Sequence, residues 1–93
     1  MSVAEIIERK LSAALTPAKL DIIDESHLHE GHAGAREGGE SHFRVTIVAA
    51  AFENQNRVAR QRQVYEILKD ELAGPIHALA LSTLTPDEAQ KRA

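Results

Sequence analysis

Apolar residues near the start of the chain recur with the spacing of an α-helix. The stripe comprises Val3, Ile6, Ile7, Leu11, Ala14 and Leu15. Ser2 and Glu5 have the spacing of a capping box, in which a hydroxyl and a carboxylate satisfy the free amides of a first helical turn. Pro17 should end the helix, because the residue before a proline avoids helical dihedrals. The pattern predicts an amphipathic helix whose stripe lies in the core.

Two strand patterns follow, separated by a long polar segment. Leu20, Ile22 and Ile23 predict a short first strand. A second strand should begin at His42, because apolar and polar residues then alternate as far as Ile47. Such alternation is typical of a strand with one buried and one wet face. The two strands therefore predict an antiparallel hairpin with an oversized loop.

Helical spacing returns over Arg57–Leu72, after Asn54 and Asn56, which are candidate N-caps. The stripe predicted to be buried contains Val58, Gln61, Tyr65, Leu68 and Leu72, with Val64 and Ile67 beside it. Three arginines crowd the beginning of the segment, which suggests a short first turn bending into a longer helix. Gly74 and Pro75 should then end the helical pair, in the order usual at helix C-termini.

The segment from Ile76 to Leu81 is apolar except for His77, which predicts a third strand covered on part of both faces. Thr85 and Glu88 repeat the capping-box spacing and predict a short C-terminal helix. A helical crossover precedes the third strand, so it should lie parallel to the second. The predicted fold class is α+β: a three-stranded mixed sheet with helices on one face, in a single domain over residues 1–93.

Composition excludes several classes of protein. The 93 residues include no cysteine, which rules out disulfides, thiol catalysis and thiolate metal sites within the chain. No apolar run approaches the ~20 residues of a membrane span, and no signal-peptide core is present, so we expect a soluble cytoplasmic protein. A formal net charge of −3 argues against general nucleic-acid affinity but is compatible with a local basic face.

The histidines and glycines concentrate between positions 24 and 45. This stretch holds His27, His29, His32 and His42, together with Gly31, Gly34, Gly38 and Gly39. Long loops in small domains are usually functional or disordered. The fifth histidine, His77, should stand at the start of the third strand, at the sheet end where the loop returns. We therefore predict that the His77 side chain is at least partly exposed and faces the loop.

Imidazole nitrogen binds iron, zinc and copper, so a loop histidine and His77 are candidate metal ligands. Two nitrogens are too few for a closed site, which normally has four ligands, so the others would come from elsewhere. Structural roles stay open for each histidine. His42 fits a wet strand face, His27 could cap the loop, and spacing alone fits His77 as a hydrogen-bonded histidine at a strand start.

Several fragments, taken in order, resemble the BolA family over nearly the whole chain. They are Asp24-Glu25-Ser26, the segment 29–34, Ser41-His42-Phe43-Arg44-Val45, Val64-Tyr65, Leu72, Ile76-His77-Ala78-Leu79-Ala80 and Thr85-Pro86. The resemblance implies the αββααβ topology of class II KH-like domains, in agreement with the element order above. The chain departs from the family at Arg60-Gln61-Arg62, where Arg-His-Arg is usual.

The resemblance also implies a role beside monothiol glutaredoxins in iron–sulfur cluster handling and iron homeostasis. On this hypothesis the protein is an adaptor, not an enzyme. It would share a [2Fe–2S] cluster with the glutaredoxin and a bound glutathione, and the isolated chain would be a monomer without a cofactor of its own. The implied ligands are His77 and one loop histidine. Counting from Asp24 favours His29, whereas counting back from Ser41 favours His32.

The main alternative is a DNA-binding transcriptional regulator, as some members of the family are described. Arg57, Arg60 and Arg62 would then contact phosphates from the helical pair, which is similar to a helix-turn-helix. The same arginines could instead be solvated, paired with carboxylates, or a docking surface for an acidic partner. RNA binding of the KH type is disfavoured, because Gly31–Gly34 spells G-x-x-G between two strands and not between two helices.

An enzyme is also disfavoured. Ser26 or Ser41 could be combined with a histidine and Asp24, but the chain has neither a nucleophile elbow nor a phosphate loop.

Overall fold

The computed structural model describes residues 2–25 and 41–92. In chain order the elements are α1 (Val3–Leu15), β1 (Lys19–Asp24), β2 (His42–Val48), a 3₁₀ turn (Ala50–Phe52), α2 (Arg57–Ile67), α3 (Lys69–Ala73), β3 (Ala78–Leu84) and α4 (Pro86–Arg92). None of these helices has the length and apolar character needed to cross a membrane.

The three strands form one mixed sheet in the order β1-β2-β3. β1 and β2 are antiparallel, with Lys19 opposite Val48. β2 and β3 are parallel, and His42 pairs with Ala78. The predicted α+β fold and the parallel return of the third strand are therefore confirmed. The first residues of β2 and β3 lie at the same end of the sheet, which is also the end where β1 finishes.

The core lies between α1, α2 and one face of the sheet. Its fully buried side chains include Ile7, Leu11, Phe43, Val45, Ile47, Phe52, Val64 and Leu68. Each large apolar side chain removed from water in this way contributes about 1.5–3 kcal/mol. The alternation predicted for β2 is confirmed, because Arg44 on the opposite face is exposed.

Helix α1 agrees closely with its sequence pattern. Val3, Ile7, Leu11 and Leu15 are buried, whereas Ala14, predicted to be in the stripe, is exposed. The Ser2 hydroxyl accepts a hydrogen bond from the Glu5 amide (3.1 Å) and donates one to the Glu5 carboxylate (3.1 Å). The helix ends at Leu15, and Thr16 adopts a left-handed conformation with φ 44°.

Helix α2 buries a different face from the one predicted. Val58 and Tyr65 are 54% and 41% exposed, whereas Arg60 and Val64 are buried. The prediction was wrong for Val58 and Tyr65 but correct for Leu68, which is fully buried, and the inward position at Arg60 holds a paired cation instead of an apolar residue. Of the two candidate caps, Asn56 is the N-cap and accepts from the Ala59 amide (2.8 Å). Asn54 lies in the preceding turn with φ 67°.

Strand β3 begins later and ends later than predicted. Ile76 is buried but precedes the strand, and its amide donates to the Glu71 carbonyl of α3 (2.9 Å). The strand then continues to Leu84, because β2 extends to Val48 and offers it a partner. His77 consequently lies in the connection immediately before β3, not within the strand.

Candidate functional site

The end of the sheet at which β2 and β3 begin carries the candidate site. Residues 26–40 leave the described structure after Glu25 and rejoin it at Ser41. The Glu25 amide donates to the His42 carbonyl (2.7 Å), so hydrogen bonding to β2 continues as far as Glu25, one residue beyond β1. The Glu25 carboxylate also accepts from Arg44 Nε (3.0 Å) on the open face of the sheet. Both attachment points of the 26–40 segment are thus fixed to the sheet.

Ser41 organises the two histidines at this end. Its side chain is fully buried, and its Oγ lies 2.8 Å from His42 Nδ1, within hydrogen-bond distance. Its carbonyl oxygen accepts from the His77 amide (2.7 Å) and from the Ala78 amide (3.3 Å). One buried serine therefore fixes the His42 ring through its hydroxyl and the His77 backbone through its carbonyl. A buried serine with both groups engaged is a rigid support.

The rings of His42 and His77 lie side by side. Their centroids are 6.2 Å apart and their planes differ by 20°. His42 is half-buried and His77 is exposed. The predicted exposure of His77 is confirmed, whereas its predicted orientation towards the loop involves residues outside the described structure. The loop histidines His27, His29 and His32 lie outside the described residues, so the predicted meeting of His77 with His29 or His32 stays a prediction.

The described residues do not complete a metal site by themselves. Within residues 2–25 and 41–92, no group of three or more histidine or acidic side chains is placed to hold a metal ion. His77 offers one solvent-facing imidazole, which is a suitable nitrogen ligand for iron. This arrangement fits a partial ligand set completed from outside the sheet, and does not fit a closed structural site.

The three arginines of the DNA-binding hypothesis have different environments. Arg57 and Arg62 are exposed, but Arg60 is only 9% exposed. Arg60 Nε donates to the Gln55 carbonyl (2.8 Å), and Nη1 donates to the Thr83 carbonyl (3.1 Å). Nη1 and Nη2 also donate to the two oxygens of the Glu88 carboxylate, at 2.6 and 3.2 Å respectively. Four of its five N–H donors are thus used inside the protein, so Arg60 is poorly placed for the phosphate contact that the DNA-binding hypothesis assigns to it.

The Arg60–Glu88 pair connects α2, β3 and α4. The Arg60 guanidinium also lies over the Phe52 ring, 5.9 Å from its centroid, where a cation is attracted to the ring face. Glu88 belongs to a complete capping box: its amide donates to Thr85 Oγ1 (3.2 Å), and its carboxylate accepts from the Thr85 amide (2.9 Å). The pair thereby holds α4 against the end of β3.

Hydrogen bonds also set the protonation of Glu88. The Arg60 guanidinium, and next the Thr85 amide, lower the pKa of the Glu88 carboxyl from 4.5 to about 2. The carboxylate therefore stays charged across the physiological range. The capping box was visible in the sequence. Its arginine partner, 28 residues away, was not, because no local pattern marks a contact between those positions.

Comparison with known proteins agrees with this architecture. The family model described as "BolA-like protein" matches residues 11–88. The chain is similar to the solved structure titled "BolA domain of SufE1 from Arabidopsis thaliana". That match has a TM-score of 0.84 and 39% identity, and covers 95% of this chain and 96% of that one.

Two relatives match over most of their length. The "Uncharacterized protein in cobS 5'region" of Sinorhizobium sp is 48% identical over 95% of this chain and 96% of its own. The "DNA-binding transcriptional regulator BolA" of Haemophilus influenzae is 44% identical over 95% of this chain and 82% of its own. The family match over most of the chain, the shared fold and these identities lead to one conclusion: the chain belongs to the BolA family.

Proposed function

We propose that the protein is an adaptor that binds a monothiol glutaredoxin and helps to hold or transfer a [2Fe–2S] cluster. The observation that carries the proposal is the exposed imidazole of His77 at the sheet end where residues 26–40 leave and return. That segment contains His27, His29 and His32, so three further imidazoles lie within seven residues of Glu25 along the chain. A half-site of histidine ligands open to solvent suits a cluster shared between two proteins.

The ligand set follows from what the chain contains and lacks. His77 and either His32 or His29 would supply two nitrogens, and the absence of cysteine means that thiolates would come from the glutaredoxin and its glutathione. When bound, a [2Fe–2S] cluster supplies one-electron redox chemistry, and histidine in place of cysteine raises its potential. On this proposal the cluster is cargo, because the described residues, 2–25 and 41–92, contain no closed site for it.

The remaining task of the chain is positioning. The Ser41 carbonyl holds the His77 backbone, and parallel pairing with β2 fixes the strand that follows. Within the described residues no hydrogen bond is found to the His77 side chain, which is exposed and accessible to a partner.

Co-purification tests the proposal directly. The protein should co-elute with a monothiol glutaredoxin from the same organism after co-expression, and the complex should be coloured. Its visible absorption and circular dichroism should differ from those of the glutaredoxin alone, because nitrogen replaces sulfur at part of the cluster. A colourless mixture that separates on gel filtration would remove the adaptor hypothesis.

A second candidate function, DNA-binding transcriptional regulation, is favoured by one observation. A relative that matches over most of its length carries the name DNA-binding transcriptional regulator. Arg57 and Arg62 are exposed and available to phosphates, whereas Arg60 is not. The basic contribution of α2 to such an interface is thus two arginines and not three.

Salt dependence distinguishes this candidate. Replacing Arg57 and Arg62 with alanine should reduce the slope of log affinity against log salt by about 1.8, which is 0.9 per lost phosphate contact. Fluorescence anisotropy with duplex DNA over a salt series measures the slope, and Arg9→Ala, which removes one cation from α1, serves as the control. Wild-type binding no tighter than the roughly 10⁻⁴–10⁻⁶ M of non-specific association would argue against a regulator.

Cytoplasmic location and a monomeric isolated chain remain predictions. Gel filtration of the isolated protein against its complex with glutaredoxin would determine the second.

A further inference from the structure

A groove lined by basic residues lies at the C-terminal end of β3, whereas His77 precedes the N-terminal end of the same strand. It is formed by the N-terminus of α2, by the last residues of β3 and by α4, and its volume is about 610 Å³. Arg57, Lys91 and Arg92 line it, with Leu84 and the Arg60–Glu88 pair. A smaller cleft of about 200 Å³ shares Arg57 and Arg92 with it.

Three of the four cations that line this groove have no carboxylate partner among the described residues; outside the groove, the same holds for Arg9 and Arg62. In the described residues, Lys10, Lys19, Arg44, Arg60 and Lys69 each have an acidic side chain within 4.0 Å. Arg57, Lys91 and Arg92 have no such pair in that part of the chain, and all three are exposed. Because the protein has a formal net charge of −3, carboxylates are not scarce. Three unpaired cations at one groove therefore constitute a local positive field.

Helix electrostatics accounts for only part of this arrangement. Lys91 and Arg92 occupy the last turn of α4, where cations offset the negative end of the helix dipole. Arg57, in contrast, is the first residue of α2, where the dipole disfavours a cation, and the first turn of α2 has no acidic residue. A residue placed against a local rule indicates a role other than stability.

The Arg60–Glu88 pair determines both the position of α4 at the groove and the net positive charge of the groove lining. It fixes α4 against β3, so Lys91 and Arg92 are held near Arg57 although they lie more than 30 residues along the chain. Arg60 also compensates the negative charge of Glu88, the one carboxylate lining the groove, through two hydrogen bonds from its guanidinium. An anion entering the groove would meet three free cations and a compensated carboxylate.

We propose that this groove binds a small molecule through a phosphate monoester or diphosphate group. Arginine forks match phosphate oxygens in pairs, and the groove volume falls within the range of about 300–1,000 Å³ typical of small-molecule sites. No aromatic side chain lines the groove, so it has no platform on which the bases of a single strand could stack. The site is separate from the proposed histidine half-site and does not depend on it.

Titration of the ¹⁵N-labelled full chain with inorganic pyrophosphate, and separately with ADP, tests the proposal by NMR. Saturable shifts should appear at the amides of Arg57, Leu84 and Arg92. The double variant Arg57→Gln/Arg92→Gln should weaken the affinity about tenfold or more, because each change removes a charged fork but keeps a similar stem. The control Arg9→Gln/Lys69→Gln removes two exposed cations outside the groove and should change the affinity less than about twofold.

Three outcomes would overturn the inference. The first is equal weakening in the control, which would indicate only a response to net charge. The second is an absence of saturation in the low-millimolar range with either probe. The third is displacement of pyrophosphate from the same amides by a duplex DNA fragment at far lower concentration, which would assign the groove to nucleic acid. The Arg57→Gln/Arg92→Gln variant should still form the coloured complex with glutaredoxin, so failure of one proposal is distinguishable from failure of the other.

Discussion

His77→Ala should abolish the difference between the visible spectrum of the complex and that of the monothiol glutaredoxin alone. The change removes the one exposed imidazole in the described part of the sheet end and leaves the backbone hydrogen bond to Ser41 in place. Because the side chain is exposed, the free energy of unfolding should change by only about 0.5 kcal/mol. Loss of the spectrum with an unchanged unfolding curve would identify His77 as a ligand.

Matched alanine variants of the loop histidines complete this experiment. His27→Ala is the control, because a ligand role was not predicted for it, and its complex should keep the wild-type spectrum. Of His29→Ala and His32→Ala, one should change the spectrum as His77→Ala does, and that result would identify the second ligand. Retention of the full absorption by His77→Ala would contradict the proposed half-site whatever the loop variants show.

Arg60→Met should cause the largest loss of stability among the charged residues of the described structure. Methionine keeps much of the buried stem but removes every donor of the guanidinium. The partly buried Gln55 carbonyl and the buried Thr83 carbonyl then lose their side-chain partner, and leaving a buried acceptor such as that of Thr83 unsatisfied costs about 1–3 kcal/mol. We expect a total decrease of about 2–4 kcal/mol in the free energy of unfolding at neutral pH, measured in urea.

The pH dependence of that loss provides the sharper test. The pKa of Glu88 is about 2 in the folded protein and 4.5 ordinarily, so its ionised form stabilises the fold fully above about pH 4.5. The contribution should disappear as the pH falls from 4.5 towards 2. The difference between wild type and Arg60→Met should therefore shrink over this interval. A difference independent of pH would show that the pair contributes through packing alone.

A surface pair gives the comparison for Arg60. Lys69→Met removes the exposed pair with Glu66 (3.3 Å) and should cost no more than about 1 kcal/mol. An equal loss for Lys69→Met and Arg60→Met would mean that burial of the Arg60 guanidinium has no particular importance.

The sequence predicted those parts of the fold that rest on local chemistry. The Ser2 N-cap, the capping box at Thr85, the alternation in β2 and the parallel return of β3 all agree with the structure. The face of α2 was predicted wrongly, because hydrophobic periodicity assumes that inward positions are apolar. Arg60 is inward because Glu88 and two backbone carbonyls satisfy it, and such a contact depends on tertiary structure.

The candidate site was predictable to a similar degree. The exposure of His77 followed from strand direction, since a parallel third strand must begin where the second begins. The role of Ser41 did not follow, because serine before a strand has no distinctive spacing, and its carbonyl meets the His77 and Ala78 amides only through tertiary structure. The choice between His29 and His32 rests on residues outside the described structure.

The parallel pairing of β2 with β3 also sets an order of assembly. His77 is held by Ser41 only after the chain has passed through α2 and α3 and β3 has joined the sheet. Synthesis delivers the loop histidines first, at about 5–20 residues per second, and the strand that follows His77 several seconds later. In a nascent or truncated chain that ends before β3, the loop imidazoles would therefore be present before His77 is fixed beside Ser41. On the proposed ligand set, both histidine ligands would be presented together only by a chain in which β3 has joined the sheet.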